Sequence, residues 1–171
     1  NTAAWLAARA PTILAYKPSL IEAKVALLES YLIGVNVTRM LHRQPTILGI
    51  AEDTLAYKLS VLVALFPSGN VARIVERQPS LLSASPENLA FKMEYFQRLL
   101  PDISAASVFE RAPSLLSYDP LTLDMNLESL FVLLPGVNIS KVVIRQPTLL
   151  QLDVEENLGP KIRLLRHLTK T

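Results

Sequence analysis

The sequence has 171 residues, half of them hydrophobic, and its 17 basic and 15 acidic side chains give a formal net charge of +2. It has no cysteine, which excludes disulfides and thiolate metal sites, and its two histidines, His42 and His167, stand in no ligand pattern, so we expect no metal and no cofactor. No apolar run approaches the roughly 18 residues that cross a bilayer, so we expect a soluble chain without a membrane partner.

A short motif recurs along the whole chain. Arg-x-Pro, followed by Ser or Thr and two aliphatic residues, appears as RAPTIL, RQPTIL, RQPSLL, RAPSLL and RQPTLL. The prolines of these five motifs are spaced 34 residues apart, at Pro11, Pro45, Pro79, Pro113 and Pro147. Proline is tolerated in the first turn of a helix but cannot continue a preceding helix. The motif therefore predicts a short helical turn at each proline of a repeated unit.

A longer helix, called helix A, is predicted after each of these turns. Pro18, Pro86 and Pro120 stand in its first turn, and Ser85 or Asp119 is placed to cap it. Apolar residues then recur at helical spacing and predict one buried stripe per helix. Helix A should end at Pro67, Pro101 and Pro135, or near Gly34 in the first copy. The stripe in two copies is Leu55, Leu59, Leu62, Leu65 and Phe66, and then Leu89, Met93, Phe96, Leu99 and Leu100.

A shorter helix, called helix B, is predicted to begin after the N-cap residues Asn36, Ser104 and Asn138 and to run about two turns to the next Arg-x-Pro. Its predicted inner faces are Val37/Met40/Leu41, Val71/Ile74/Val75, Ala105/Val108/Phe109 and Ile139/Val142/Val143.

These units predict one helical-repeat domain over residues 1–171. Thr2–Ala10 fits a lone helix B and Val154–Leu168 a lone helix A, so we expect part of a longer protein with apolar surface exposed at both ends. The predicted units are a partial repeat over 1–10, repeats over 11–44, 45–78, 79–112 and 113–146, and a partial repeat over 147–171.

Two other repeat classes have similar periods. Tetratricopeptide repeats also have 34 residues, but aligning their late proline here puts large side chains, such as Leu55 and Leu89, where that family requires a small one. Pentatricopeptide repeats have a slightly longer period and polar specificity positions that this sequence lacks. We therefore disfavour both.

The order Pro-x-Leu-Leu, then Leu-x-x-Lys-x-x-x-Leu in a long helix, then a short helix returning to Arg-x-Pro, resembles the mitochondrial transcription termination factor (mTERF) family. The matching segments are PTILGIAEDTLAYKLSVL, PSLLSASPENLAFKMEYF and, with one residue inserted, PTLLQLDVEENLGPKIRLL. The fourth unit departs from the pattern, because Asn126 stands where the others have Lys24, Lys58 or Lys92.

The resemblance implies an all-α solenoid of 34-residue mTERF-type repeats, each made of a long helix, a short helix and a proline-initiated 3-10 turn. It also implies a protein of mitochondria, or alternatively of plastids, that binds DNA or RNA in transcription, RNA processing or ribosome assembly.

Positive charge is concentrated on one predicted face of helix B. The arginine of each motif lies four residues after another outward position, so the two share a face. The five copies give ten such positions, and Trp5 and Ser107 occupy two of them. The other eight are cations, whose mutual repulsion a phosphate backbone would relieve. We call the following eight cations, out of the seventeen in the chain, the basic row: Arg9, Arg39, Arg43, Arg73, Arg77, Arg111, Lys141 and Arg145.

Helix capping competes with nucleic-acid contact for the arginine in each motif, since a cation in the last turn interacts favourably with the terminal carbonyls of its helix. Capping does not explain Arg39, Arg73 and Lys141, which lie one turn earlier. A second row, Lys24, Lys58, Lys92 and Lys161, contains weaker candidates, because each follows a core aliphatic residue and its stem can cover the core.

Aromatic residues are candidates for stacking on bases, although packing in the core is the expected role for most of them. Trp5 is the exception because it occupies an outward place beside the basic row. The others are Tyr16, Tyr57, Phe91, Tyr95, Phe109 and Tyr118.

No sequence motif for catalysis is present: there is no glycine-rich phosphate loop, nucleophile elbow or Cys/His cluster. We therefore expect no catalytic residue, no enzyme activity and no small-molecule substrate.

Two hypotheses remain. The first is an organellar protein that contacts the phosphates of double-stranded DNA, ribosomal RNA or other RNA. The second is a structural or adaptor subunit of an organellar ribosome or another assembly, which grips protein or ribosomal RNA through its repeat surface.

Overall fold

The computed structural model describes residues 2–67 and 69–168, with the backbone alone at residues 2, 3, 6, 7 and 155. Over these residues the chain is helical and has no strand, and it divides into two compact units, Asn1–Ala90 and Phe91–Thr171. The helices are α1 Thr2–Arg9, α2 Pro18–Tyr31, α3 Val37–Arg43, α4 Glu52–Leu65, α5 Val71–Arg77, α6 Pro86–Leu99, α7 Ala105–Arg111, α8 Pro120–Leu133, α9 Ile139–Arg145 and α10 Gly159–Leu168.

A 3-10 turn begins at the proline of every motif. Each turn is five residues long and has its proline in the first position, as the motif predicted. The prediction of an all-α repeat made of a long helix, a short helix and a proline-initiated 3-10 turn is therefore confirmed. The turns are Pro11–Ala15, Pro45–Gly49, Pro79–Ser83, Pro113–Ser117 and Pro147–Gln151.

The complete copies of helix A are α2, α4, α6 and α8, and each has 14 residues. Where a proline follows, the helix ends two residues before it, as α4 does at Leu65, because proline disfavours the helical conformation of the residue that precedes it. In the first copy no proline follows, and the chain turns at Gly34, whose φ of +84° favours glycine.

Four copies of helix B, which are α3, α5, α7 and α9, have seven residues each and start at side-chain caps. Asn36, Ser104 and Asn138 accept hydrogen bonds from the third amide of their helices, as predicted, at 2.8, 3.3 and 2.9 Å. Asn70 caps α5 in the same way at 2.9 Å, a cap that we did not predict. Helices this short are not stable alone, so their caps and their packing must hold them.

Helix A is capped as well. The side chain of Asp119 accepts a hydrogen bond from the amide of Leu121 at 2.9 Å, and Ser85 accepts one from the amide of Asn88 at 3.1 Å. Both caps were predicted. The Ser85 hydroxyl also donates to Glu87 at 2.9 Å, and hydrogen bonds to the Glu87 carboxylate, first from backbone and then from Ser85, lower its pKa.

The core of each unit lies between its helices and 3-10 turns. In the first unit the predicted stripe of α4 is buried at Leu55, Leu59 and Leu62. In the second unit Phe96 of α6 and Phe109 of α7 are both almost fully buried, with ring centroids 4.9 Å apart. The predicted inner faces of helix B are buried too, except that Val142 is only half-buried. In the predicted stripes of helix A, Leu65 and Leu99 are also only half-buried. The apolar periodicity therefore identified most of the core.

The inserted residue in the last segment produces a local change of helix type. Val154–Leu158 forms a π-helical turn that leads directly into α10, with the amide of Gly159 bonded to the carbonyl of Val154. A π turn holds one residue more than the α-helical turn it replaces. It accommodates the insertion, and Pro160 follows it in the first turn of α10, where its missing amide is tolerated.

Successive repeats pack on each other within each unit. In the first unit α1 lies against α3 and α2 against α4, and in the second unit α7 lies against α9. Among the described residues no helix has both the length and the apolar character that a membrane span requires.

Candidate nucleic-acid interface

Three cations of the basic row stand at equivalent positions near the start of helix B. Arg39, Arg73 and Lys141 are each the third residue of a short helix, and each donates its amide to the N-cap asparagine. The cap fixes the backbone at this point, while the side chain is exposed. None of the three side chains forms a hydrogen bond or an ion pair with a described residue, so their charges remain available to a ligand.

Two arginines of the motif connect one repeat to the next. The guanidinium of Arg43 donates to the carbonyls of Glu76 and Arg77 at 2.6 and 3.1 Å. Arg111 donates to the carbonyl of Ile144 at 2.8 Å. These acceptors lie in the last turns of α5 and α9, whose carbonyls have no partner within the helix. The cap therefore acts on helix B of the following repeat, whereas we had considered the arginine's own helix.

The remaining arginines of the motif differ from one another. Arg77 and Arg145 are exposed and, within residues 2–67 and 69–168, form neither a hydrogen bond nor an ion pair through their side chains. Arg9 lies over the ring of Trp5, with its guanidinium carbon 5.2 Å from the ring centroid. The same tryptophan stacks on His42 at a centroid separation of 4.6 Å. Trp5 is therefore already engaged by two side chains of its own unit.

A groove in the first unit collects several of these charges. We call it the arginine groove. It has a volume of about 180 Å³ and opens to solvent between one face of α3 and the end of α5. Three arginines and one glutamate are among its lining residues, so positive charge is in excess. Its lining residues are Asn36, Arg39, Met40, Arg43, Glu76 and Arg77.

Three lysines of the second row take part in the packing between repeats. Lys24 is only 6% exposed, and its ammonium donates to the carbonyl of Leu48 at 2.7 Å and lies 4.9 Å from the ring centroid of Tyr16. Lys58 and Lys92 donate to the carbonyls of Ala84 and Leu116 at 2.6 and 2.7 Å. Each bond joins helix A to the turn of the next repeat, so these ammonium groups already have partners within the fold.

Asn126, the departure from the family pattern, performs the same task without a charge. Its amide donates to the carbonyl of Leu150 at 2.8 Å, again 24 residues further along the chain. The hydrogen bond to the next turn, rather than the positive charge, is thus what this position supplies in all four repeats. Lys161 in α10 instead bonds to the side chain of Asn157 on its own helical segment.

Within the second unit, neighbouring groups and burial shift the pKa values of Lys92 and Tyr95. Burial lowers the pKa of Lys92, and the charge of Asp119 opposes this effect. The hydroxyl of Tyr95 donates to Asp124 at 3.0 Å, and this hydrogen bond, followed by burial, raises the pKa of the tyrosine.

The aromatic residues divide into packed and exposed groups. Phe109 is in the core and Tyr16 lies under Lys24, as expected for packing. The expectation of core packing is wrong for Tyr57 and Phe91, which are 54% and 51% exposed. The helical spacing gave a wrong prediction for these two residues, because their positions border the buried stripe of helix A and do not belong to it.

The described residues offer little support for other chemistry. Among the described residues no group of three or more His, Cys, Asp or Glu side chains could hold a metal ion. In the same part of the chain every buried side-chain nitrogen or oxygen has a hydrogen-bond partner.

Comparison with known proteins supplies the family. No curated protein matches the chain significantly. The family model mTERF matches residues 4–132, which is well over half of the chain and includes the first four proline motifs, three of the N-caps of helix B, and Lys24, Lys58 and Lys92. Proteins of that family are typically organellar, and they generally bind nucleic acids without acting as enzymes. The match shows that this chain belongs to the mTERF family.

Proposed function

We propose that this chain is a non-enzymatic organellar protein, of the mitochondrion or alternatively the plastid, that contacts the phosphate backbone of DNA or RNA through the basic row. Family membership supports the ligand class, and the positions of the exposed cations support the contact surface. Its role would lie in transcription, RNA processing or the ribosome.

One observation carries this proposal. Arg39, Arg73 and Lys141 recur at one position of helix B, exposed and without a hydrogen bond or ion pair to any described residue. Neutral side chains would serve that position equally well for folding. Unpaired cations repeated on one element are expected where a polyanion binds, because phosphate contacts release condensed counterions from the nucleic acid.

The proposed contact is made to phosphates, largely without reading bases. The basic row offers guanidinium and ammonium groups, which are strong phosphate donors. Beside the row, the side-chain oxygens of Asn36, Asn70 and Asn138 are used as helix caps. Affinity should thus depend on salt and on the shape of the nucleic acid more than on its sequence.

The test replaces Arg39 and Arg73 together with glutamine and measures binding to duplex DNA and to single-stranded RNA. Two lost phosphate contacts should reduce the slope of log affinity against log salt by about 1.8 on the duplex and about 1.4 on the single strand. The matched control is Arg98→Gln. Arg98 is equally charged, has a side chain 62% exposed, and lies outside the basic row. Equal slopes for the double variant and the native chain would contradict the proposal.

A second candidate function rests on a different surface. Helix α8 exposes several apolar side chains on its outer side: Leu121, Met125 and Val132 share a face, with the exposed Glu128 among them, and are 64%, 67% and 79% exposed. An exposed apolar face of this kind is typical of a protein–protein contact, which favours an adaptor subunit of an organellar ribosome or another assembly. In this case Met125→Gln with Val132→Gln should abolish cosedimentation with organellar ribosomal subunits, while Arg39→Gln with Arg73→Gln should not. The reverse result would contradict the adaptor function.

A further inference from the structure

The arginine groove differs from the rest of the basic row because its charges converge on one space. Asn36, Arg39, Met40 and Arg43 follow one face of α3 and form one wall, and the end of α5 forms the other. A space bordered by cations from two repeats can surround a ligand, which an isolated side chain cannot do.

Arg43 holds this geometry in place. Its two bonds to the carbonyls of Glu76 and Arg77 tie its guanidinium to the opposite wall. A guanidinium has five N–H donors, so these bonds leave others unused, and the carbonyl partners do not neutralise its charge. The cation is therefore fixed across the groove with donors to spare, and a ligand need not order it.

The other two guanidiniums are unpaired. Arg39 and Arg77 make no side-chain hydrogen bond or ion pair with a described residue, and both line the groove. The carboxylate of Glu76 is the one negative group among the lining residues. Three positive charges against one leave a net excess of two, which suits an anion with two or more acceptor oxygens.

The volume of the groove limits the size of the anion that it can hold. Sites for drug-sized ligands usually have volumes of about 300–1,000 Å³, and a groove of about 180 Å³ is too small for a nucleotide. It suits one phosphate group, whose oxygens take charge-assisted hydrogen bonds from several arginines at once.

We propose that the arginine groove is a discrete seat for one phosphate group, formed by Arg39, Arg43 and Arg77. The seat rests on the proposed function, since the phosphate would belong to the bound DNA or RNA and would fix its register on the first unit. Glu76 weakens the seat through its charge and so sets how readily the phosphate leaves.

The second unit provides a natural comparison. Sixty-eight residues further along the chain, Ser107 replaces Arg39 and Ile144 replaces Glu76, while Arg111 and Arg145 correspond to Arg43 and Arg77. Arg111 makes the same bond to the end of the next helix B. The second unit thus keeps the inter-repeat cap but has only two of the three guanidiniums, and it should bind phosphate more weakly.

The experiment follows the arginine Nε–H signals of the chain by ¹H–¹⁵N NMR during titration with sodium phosphate, with sodium acetate at matched ionic strength as the control. The signals of Arg39, Arg43 and Arg77 should shift together and saturate with phosphate but not with acetate. Those of Arg73 and Arg145 should change only weakly. Linear shifts of all arginines, or equal shifts with acetate, would overturn the seat.

Variants sharpen this test. Glu76→Gln should tighten phosphate binding by about threefold, and it leaves the cap intact because Arg43 bonds to the backbone carbonyl of residue 76. Arg39→Gln should weaken phosphate binding by about threefold or more, whereas Arg98→Gln, the control outside both the groove and the basic row, should not change it. An unchanged affinity in Glu76→Gln would contradict the proposal.

A third titration identifies the source of the phosphate. Dimethyl phosphate resembles the backbone diester, and inorganic phosphate resembles the phosphate at the end of a strand. Saturation by both supports a seat for the backbone, and saturation by inorganic phosphate alone supports a seat for a strand end. If native chain binds nucleic acid with a steep salt dependence but neither phosphate saturates the groove, the seat is wrong and the proposed function stands. If phosphate saturates the groove but nucleic acid does not bind, the groove is a phosphate site and the proposed function is wrong.

Discussion

Replacing Lys24 with methionine tests whether the second row of lysines is part of the fold. Methionine keeps the length and flexibility of the stem and removes only the ammonium. In the native chain Lys24 is 6% exposed, and its ammonium bonds to the carbonyl of Leu48 at 2.7 Å and lies over Tyr16. The variant leaves the carbonyl without that partner in a buried place.

The magnitude follows from two opposing effects. An unsatisfied buried carbonyl costs about 1–3 kcal/mol, and the lost contact with the Tyr16 ring adds about 0.5–2 kcal/mol. Removing a buried charge recovers part of this cost, because the ammonium no longer has to leave water. We expect a net loss of about 1–2 kcal/mol in the free energy of unfolding, equivalent to a fall of about 2–8 °C in the melting temperature for a chain of this size.

The assay is urea unfolding monitored by circular dichroism, with Lys17→Met as the matched control. Lys17 is exposed just before α2, and its side chain bonds to no described residue, so its replacement should change stability by less than about 0.5 kcal/mol. Nucleic-acid affinity at temperatures where both variants are folded should be the same. Equal stability of the two variants, or a selective loss of binding in Lys24→Met, would refute a structural role for this lysine.

Two further predictions concern the second unit. Arg111→Gln should lower the free energy of unfolding by about 1 kcal/mol because it removes the bond to the carbonyl of Ile144, whereas Arg145→Gln, which removes no such bond, should cost less than about 0.5 kcal/mol in the same urea assay. Asp124→Asn should bring the raised pKa of Tyr95 back towards its ordinary value, measured by ¹³C NMR of the ring carbon that bears the hydroxyl. Because that pKa is raised on folding, its contribution to stability is complete below about pH 10 and disappears as the pH rises through the folded value.

Each of these has a clear contrary outcome. Equal destabilisation by Arg111→Gln and Arg145→Gln would mean that the inter-repeat cap contributes nothing. If Tyr95 titrates identically in the native chain and in the Asp124→Asn variant, the hydrogen bond does not determine its pKa.

The fold was largely predictable because its determinants are local and repeat. The prolines located the 3-10 turns, the spacing of leucines located the buried face of helix A, and Asn36, Ser104 and Asn138 marked the starts of helix B. The inserted residue near the end of the chain was visible in the sequence. Its accommodation as a π turn also depends on packing against α8, which the sequence does not reveal.

The partners of the cations were not predictable in the same way. Periodicity shows which positions are equivalent but not which carbonyl a long side chain reaches in the next repeat. Arg43 bonds to carbonyls 33 and 34 residues ahead, and Lys24 to one 24 residues ahead. A signal was present in Asn126: an amide that replaces a lysine keeps a hydrogen-bond donor and loses the charge, which indicates a structural bond. The assignment of the basic row to nucleic acid, and of residues 1–171 to a single domain, stays a prediction.

Salt-dependent binding of the native chain to nucleic acid tests the central claim most directly. Fluorescence anisotropy with a DNA duplex, a single-stranded RNA and a structured RNA, each over a range of salt concentrations, gives the number of phosphates neutralised. We expect at least one of these ligands to bind with a slope that corresponds to several released counterions, and the preferred ligand will separate a role in transcription from a role at the level of RNA. An absence of binding at low salt for all three would contradict the account and leave the exposed arginines of helix B without a nucleic-acid partner.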